Sequence, residues 1–392
     1  MDVYSKILEK CLENSFDFFG SLPCSYNIHL INELERLHKT HECENGNTLL
    51  HIPLVREESG VALSAGAYMS GRKTAMVLQN QGLGNMLGQL FSFNSQMKGS
   101  YKIPNLYIIS HRGINGEKIE AQKPMGSKTP DLLELADIKY CEIENVSDLK
   151  KFNELLVEYE KGYSIALLVK PNYTNPPERI KNESKIVRRY QQQKIDAVEI
   201  SPEISRYNAI EIILNNLHDE FVLSNIGHPS RELCDIHDRD RNFYLTSSLS
   251  QSYMVGLGFA LGVSERNQKV ICFEGDGGIL MNASSLSLVA QYAPKNFILI
   301  VLDNGVYGST GNTDTYAKDS INISGVAQVY GFPKEKIFTV SKPSEIQEKL
   351  TIALKNNGPH LFHILLTETF EKVPTIPLSN IEIKKRFMKS IE

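Results

Sequence analysis

Short apolar runs, each closed by a glycine or a polar turn, alternate along most of the chain with helical patterns. A helical pattern occupies the first 15 or so residues. AMVLQ (75–79), NLYIIS (105–110) and SIALLVK (164–170) read as buried strands, and GVALSAGAYMSG (60–71) reads as a helix whose small side chains allow close packing. The periodicity fades over residues 170–201, a stretch of Pro, Asn and charge, and then restarts with EFVLSNIG, KVICFEG, NFILIVLDNG and PHLFHILLTE. Strands that alternate with helices predict mostly parallel sheets covered on both faces. The expected fold class is α/β, with two tandem domains of this kind at 1–170 and 201–392 and a linker at 171–200.

Composition narrows the class without changing it. The chain has 392 residues, 41% of them hydrophobic and 22% charged, and a formal net charge of -4. That is enough apolar material for a sizeable core, and the interspersed charge argues against a nucleic-acid or anionic-membrane surface. No apolar stretch approaches the ~20 residues of a membrane helix. The charged, amphipathic opening segment is unlike a signal peptide, so a cytoplasmic setting is expected. The six cysteines are scattered with no CxxC pair, which fits free thiols in a reducing compartment better than a zinc site.

The chemistry concentrates at FEGDGGILMNASS, residues 273–285. Ligands of open α/β sheets sit where strand ends enter helices, and GDGG falls at such a junction. Glycines let backbone amides approach a phosphate, and Asp276 places a carboxylate beside it. Those two anions repel unless a cation bridges them, which points to Mg²⁺, a hard ion often shared with phosphates. A second ligand is expected from the next strand end, Asp303-Asn304-Gly305, which follows GDG after an interval long enough for one helix and one strand.

GDG followed after this interval by an Asx-Asn pair resembles the metal-diphosphate motif of thiamine diphosphate enzymes. The resemblance implies that Asp276, the Asn304 side chain and the Val306 carbonyl hold Mg²⁺. It also implies that Gly275, Gly277, Gly278, Tyr307 and Gly308 line the diphosphate. Asp303 stands where the family usually has a non-ligating Asn. Arg56-Glu57-Glu58-Ser59-Gly60 through Gly66 resembles the stretch in which a glutamate precedes a small-residue helix; counting back from Gly66 selects Glu57. By that likeness Glu57 is the catalytic carboxyl at the pyrimidine N1′. Gln79 to Asn85, with Gly82, resembles the glycine turn of the pyrimidine domain. Ser247-Ser248-Leu249-Ser250 stands where many relatives have Gly-Ser-Met-Gly: Leu249 would prop the cofactor and Ser248 would touch it, while Ser247 and Ser250 replace glycines. The family further implies a cofactor shared between the pyrimidine domain of one subunit and the diphosphate domain of another, hence a homodimer or larger homo-oligomer.

SLPC, QNQGLGN, YKIP, ISHRG, AQKPMG and TPDLLE resemble the alpha chain of sulfopyruvate decarboxylase, and SNIGHPSREL, GDGGILMN and DNGVYGSTGN its beta chain. Phosphonopyruvate decarboxylase is the sister family and is usually one chain. The fused length leans to the phosphonate enzyme and the local motifs to the sulfonate enzyme. Either substrate is a small 2-oxo acid with a strongly acidic head, which calls for cations or N–H donors. Arg112, Lys123 and Arg231 are the cationic candidates. His111 is a candidate for proton handling or anchoring, Gln122 for a substrate contact, Cys24 for a pocket wall and His228 for the diphosphate. Two other readings compete: a carboligase acting on a second aldehyde, and a non-catalytic cofactor-binding protein, which the presence of Glu57, Asp276 and Asn304 disfavours.

Overall fold

The computed structural model describes residues 3–43, 45–173, 200–266, 268–310, 312–369 and 371–391. Two six-stranded parallel sheets organise them. The first has the order β2-β1-β3-β4-β6-β5, built from β1 (Phe16–Ser21), β2 (Leu50–Pro53), β3 (Lys73–Gln79), β4 (Leu106–Ser110), β5 (Lys139–Ile143) and β6 (Ile165–Val169). The second comprises β7 (Phe221–Ser224), β8 (Asn242–Tyr244), β9 (Val270–Gly275), β10 (Phe297–Asp303), β13 (Ile337–Val340) and β14 (His360–Leu365), in the order β13-β14-β10-β9-β7-β8. Between β10 and β13 lies a short antiparallel ribbon of β11 (Val306–Tyr307) and β12 (Thr313–Asp314). All strand pairs within the two large sheets are parallel, so every strand of a sheet delivers its loop to the same edge.

The α/β class holds, and the strands expected from apolar runs are all present. β1 was not anticipated, because FDFFGS follows directly on the first helix (Val3–Glu13) and carries Asp17 in its centre. Asp17 is tolerated there because Asn45, Asn47 and Arg72 converge on its Oδ2. The linker expected at 171–200 falls almost wholly outside the described residues.

The two sheets are joined by a helix crossing. The Glu57–Met69 helix and the Ser252–Gly262 helix are buried along nearly their whole lengths. Their backbones touch: a Cβ on Gly66 would lie 1.9 Å from the Val255 carbonyl oxygen, and one on Gly258 would lie 2.0 Å from that of Leu63. Small residues are therefore required at the crossing, and their run along 60–71 reflects an interdomain contact. The C-terminal helix (Asn380–Lys389) adds a second tie, with Asn380 donating to the Gly99 carbonyl and Lys384 to that of Lys102. Phe387 of that helix packs against Phe221, Phe243 and Phe259.

Candidate active site

At the carboxyl edge of the second sheet, β9 ends at Gly275 and the Asp276–Met281 helix begins. Gly277 and Gly278 are forced by their neighbours: a Cβ would meet the Tyr307 ring at 2.2 Å in the first case and the Glu274 carboxyl at 2.3 Å in the second. Asp276 is 2% exposed and accepts a hydrogen bond from the Thr315 hydroxyl. Burial first, and the Asp303 carboxylate second, push the Asp276 carboxyl up to about 7. Glu274 is fully buried; burial pushes its carboxyl up to about 7 too, against the pull of the Ser252 hydroxyl and amide and the Gly275 amide.

The neighbouring strand end supplies the other half of the cleft. Asp303 does not point into it as a ligand. Its Oδ1 accepts from the Gly305 amide at 3.1 Å and its Oδ2 pairs with His363 Nε2 at 2.7 Å, while His363 Nδ1 contacts Ser324 at 3.1 Å. This clamp braces the turn that carries Asn304 and Val306. Gly305 takes a φ of 70° there, and the Thr315 amide returns to its carbonyl at 2.8 Å. Asn304 is buried, yet its Nδ2 finds no partner among the described residues. A narrow cleft of about 110 Å³ runs between the two strand ends, lined by Gly275 to Gly278, Asn304, Val306 to Ser309, Leu249, Asn225, His228 and Arg206.

The residues fit a metal-bound diphosphate. Asp276 lines the cleft with two asparagines: the buried Asn304 Nδ2 is an unpartnered N–H donor suited to a phosphate, and Asn225 Oδ1 is an unpartnered acceptor. Oxygen donors of this kind suit a hard divalent cation. Among the described residues no cluster of three or more His, Cys, Asp or Glu side chains could hold a metal.

Glu57 reaches the same neighbourhood from the first domain. It is the first residue of its helix and accepts from Asn85 Nδ2 at 3.0 Å. Gly82 makes room for it, since a Cβ there would lie 2.5 Å from Glu57 Cγ. The next turn of the helix docks on the segment after Asp276: Ser59 bonds Asn282 Oδ1 at 3.2 Å and Ser285 at 2.9 Å. Asn282 also donates to the Ser250 carbonyl at 3.2 Å and accepts from Tyr253 on its own carbonyl. Glu58 is the buried neighbour and pairs with Arg56, and Glu57 is half-exposed at the helix start. Within this one chain the junction joins the two sheets' domains. Ser59, Asn282, Thr315 and Arg206 were not singled out from sequence. Asn282 and Ser59 stand inside quoted motifs, but hydroxyl and amide residues carry no spacing signal of their own.

The other candidates gather elsewhere, at the ends of β4, β5 and β6, around a cavity of about 920 Å³ that His111 and Lys123 line. His111 donates from Nε2 to the Gly126 carbonyl at 2.9 Å, and Gln79 donates to Gln122 at 2.9 Å. Arg112 is not an open cation. Its Nε and Nη2 hold the Glu117 carboxylate at 2.5 and 2.9 Å, its plane stacks over Tyr26, and Glu117 is held down to about 2 by that guanidinium. Lys123 pairs with Glu120 at 2.6 Å on the surface. Cys24 is buried, with its amide bonded to Asn27, and lines neither cavity. Arg231 is exposed. His228 and Leu249 do line the diphosphate cleft, and Ser248 stands beside Leu249 with its hydroxyl buried and unpartnered.

Comparison with known proteins agrees with this geometry. A family model described as "Thiamine pyrophosphate enzyme, C-terminal TPP binding domain" matches residues 226–364. Sulfopyruvate decarboxylase of Methanosarcina acetivorans is 32% identical over 99% of this chain and 97% of its own. Phosphonopyruvate decarboxylase of Streptomyces viridochromogenes is 30% identical over 88% of this chain and 84% of its own. The fold is shared with a putative thiamin diphosphate-dependent enzyme of Mycobacterium smegmatis, with a TM-score of 0.68 and 12% identity over 94% of this chain and all of that one. The chain is therefore an enzyme of the thiamine diphosphate-dependent decarboxylase family that includes the sulfopyruvate and phosphonopyruvate decarboxylases.

Proposed function

We propose that this chain catalyses the Mg²⁺- and thiamine diphosphate-dependent, non-oxidative decarboxylation of sulfopyruvate to sulfoacetaldehyde and CO₂. The observation that carries the reading is the end-to-end similarity to a sulfopyruvate decarboxylase, which spans both sheets and the junction between them. In this reading residues 1–170 form the pyrimidine domain and 201–392 the diphosphate domain. Asp276, Asn304 and the Val306 carbonyl hold Mg²⁺, and Leu249 props the cofactor. Glu57 holds a proton at the pyrimidine N1′, with Gly82 and Asn85 fixing the carboxyl. The bound cofactor supplies the electron sink that lets a 2-oxo acid lose CO₂. The enzyme works as a cytoplasmic homo-oligomer.

The competing substrate is phosphonopyruvate, which would give phosphonoacetaldehyde. Charge favours the sulfonate. A sulfonate head carries one negative charge at neutral pH and a phosphonate nearly two, and two of the cations expected to meet the head already face carboxylates: Arg112 with Glu117 and Lys123 with Glu120. CO₂ release measured side by side on sulfopyruvate, phosphonopyruvate and pyruvate decides. The expected result is the highest kcat/KM on sulfopyruvate; preference for phosphonopyruvate selects the sister activity, and preference for pyruvate defeats both.

A further inference from the structure

The cleft contains a cation for which the metal-diphosphate motif has no place. Arg206 opens the helix Arg206–Leu214, far in sequence from both GDGG and Asp303-Asn304. It is 5% exposed, and its partner Glu232 is 0% exposed. Nε donates to Glu232 Oε2 at 2.8 Å and Nη2 to Oε1 at 2.9 Å, a two-pronged pair. The pair is oriented: Arg206 lines the diphosphate cleft together with Asn304, Gly308 and His228, and Glu232 is not among the lining residues. The arginine of the pair thus borders the cavity, and the carboxylate partner is fully buried behind it.

The position along the cleft is also informative. His228 adjoins the loop after Val306, since a Cβ on Gly308 would lie 3.6 Å from His228 Cδ2. His228 and Arg206 line the same cleft, and burial followed by the charge of Arg206 lowers the basicity of His228. The carboxylate Asp276 lines the same cleft. A diphosphate bound there adds more negative charge than one divalent cation and a few amides offset. A buried ion pair with its positive end turned to the ligand answers that imbalance, and pairing to Glu232 keeps the guanidinium oriented before the ligand arrives.

We propose that Arg206, held in place by Glu232, is a direct contact for the phosphate groups of the bound diphosphate. This inference rests on the cofactor reading above.

The test is equilibrium binding of thiamine diphosphate with Mg²⁺ to the full chain, followed by calorimetry, with Mg²⁺-inorganic diphosphate and phosphate-free thiamine as companion probes. Arg206→Gln is expected to raise the Kd for thiamine diphosphate about ten- to a hundredfold, the range of a hydrogen bond to a charged group, with a parallel rise for inorganic diphosphate and none for thiamine. Arg206→Lys, which keeps the charge and loses the fork, should give a smaller rise. Because Arg206→Gln leaves Glu232 buried and unpaired, a double variant, Arg206→Met with Glu232→Leu, removes both charges and serves if the single variant fails to fold. Wild-type affinity for thiamine diphosphate in a folded double variant overturns the proposal. So does an equal loss for thiamine, or a rise confined to the KM of the 2-oxo acid at saturating cofactor. Failure of the wild-type chain itself to bind thiamine diphosphate with Mg²⁺ would instead remove the cofactor reading on which the inference stands.

Discussion

The two sheets present their strand-end loops in opposite states. At the carboxyl edge of the second sheet, polar atoms are buried without partners: Asn304 Nδ2 and Asn225 Oδ1 in the cleft, and the Ser247 and Ser248 hydroxyls beside Leu249. At the β3 and β4 ends of the first sheet the polar groups satisfy one another. Asn80 donates to both the Arg112 carbonyl and Thr129 and accepts from the Arg112 amide, Arg112 holds Glu117, and His111 holds Gly126. A buried polar atom without a partner costs free energy unless a ligand or water supplies one. The first arrangement is that of a site which waits for a ligand, and the second that of a scaffold which holds its loops in place. Glu57 is the exception in the first domain: a half-exposed carboxyl with a single amide partner, set against the second domain.

That contrast can be broken most severely at the residues on the open side. Glu57→Gln keeps size and the Asn85 contact but removes the ionisable proton. Turnover is expected to fall by about 10²–10⁴, the usual weight of one acid–base group, with thiamine diphosphate affinity nearly unchanged. Turnover within twofold of wild type would remove Glu57 from the chemistry. Asp276→Ala should have the opposite split. Among the described residues Thr315 is the side chain bonded to that carboxylate, so the fold should survive while Mg²⁺-dependent cofactor binding is lost. Retained affinity would break the metal assignment.

The closed side should respond in stability instead. Arg112→Ala leaves Glu117 in a buried site without its partner, at an expected cost of about 3 kcal/mol in urea unfolding. A large rise in substrate KM with stability intact would show that the fork opens to bind the acidic head, and the comparison would fail. The pH dependence has a definite sign. Glu117 is depressed to about 2 from an ordinary 4.5, first by the Arg112 hydrogen bond and also by the Ile119 amide. A depressed carboxyl stabilises the fold above its unfolded value and loses that contribution as pH falls through the folded value. Stability should therefore fall between about pH 4.5 and 2, and Glu117→Gln should flatten that limb of the profile.

The sequence was informative where function is local and uninformative where it is relational. β9 and β10 were legible because buried parallel strands are continuous apolar runs, and Asp276 and Asn304 because each stands where such a run stops. Glu57 was legible through the small-residue helix behind it, whose glycines the interdomain crossing requires. The identity of Glu57 over Glu58 rested on one count of positions. Arg112 and Lys123 misled, because a sequence shows a cation but not the carboxylate that neutralises it. Glu117 lies five residues from Arg112 across a turn, and Glu120 lies one helical turn before Lys123. Arg206 was missed for the mirror-image reason: nothing near it in sequence indicates that the opposite strand ends form a cleft beside it.

The smallest expected effect bears on what the open side costs. Ser248 and Ser250 have φ values of 64° and 71°, the left-handed region, in the turn that carries Leu249. An L-residue there is strained by roughly 1–2 kcal/mol relative to its usual conformation, and glycine is not. Glycine at 250 would restore the residue that the resemblance puts there. It would lose the 3.3 Å bond between the Ser250 and Gln251 side chains and gain entropy in the unfolded chain, but it keeps the backbone carbonyl that Asn282 grips. The balance predicts that Ser250→Gly stabilises the cofactor-free protein by about 0.5–1 kcal/mol at unchanged m-value. Asn80→Ala on the closed side has no strain to release and leaves the Arg112 carbonyl without its Asn80 donor, so it should destabilise by about 1–2 kcal/mol. If Ser250→Gly also destabilises, the Ser250 hydroxyl contributes more to the turn than its geometry shows, and the two edges differ less than their hydrogen bonding indicates.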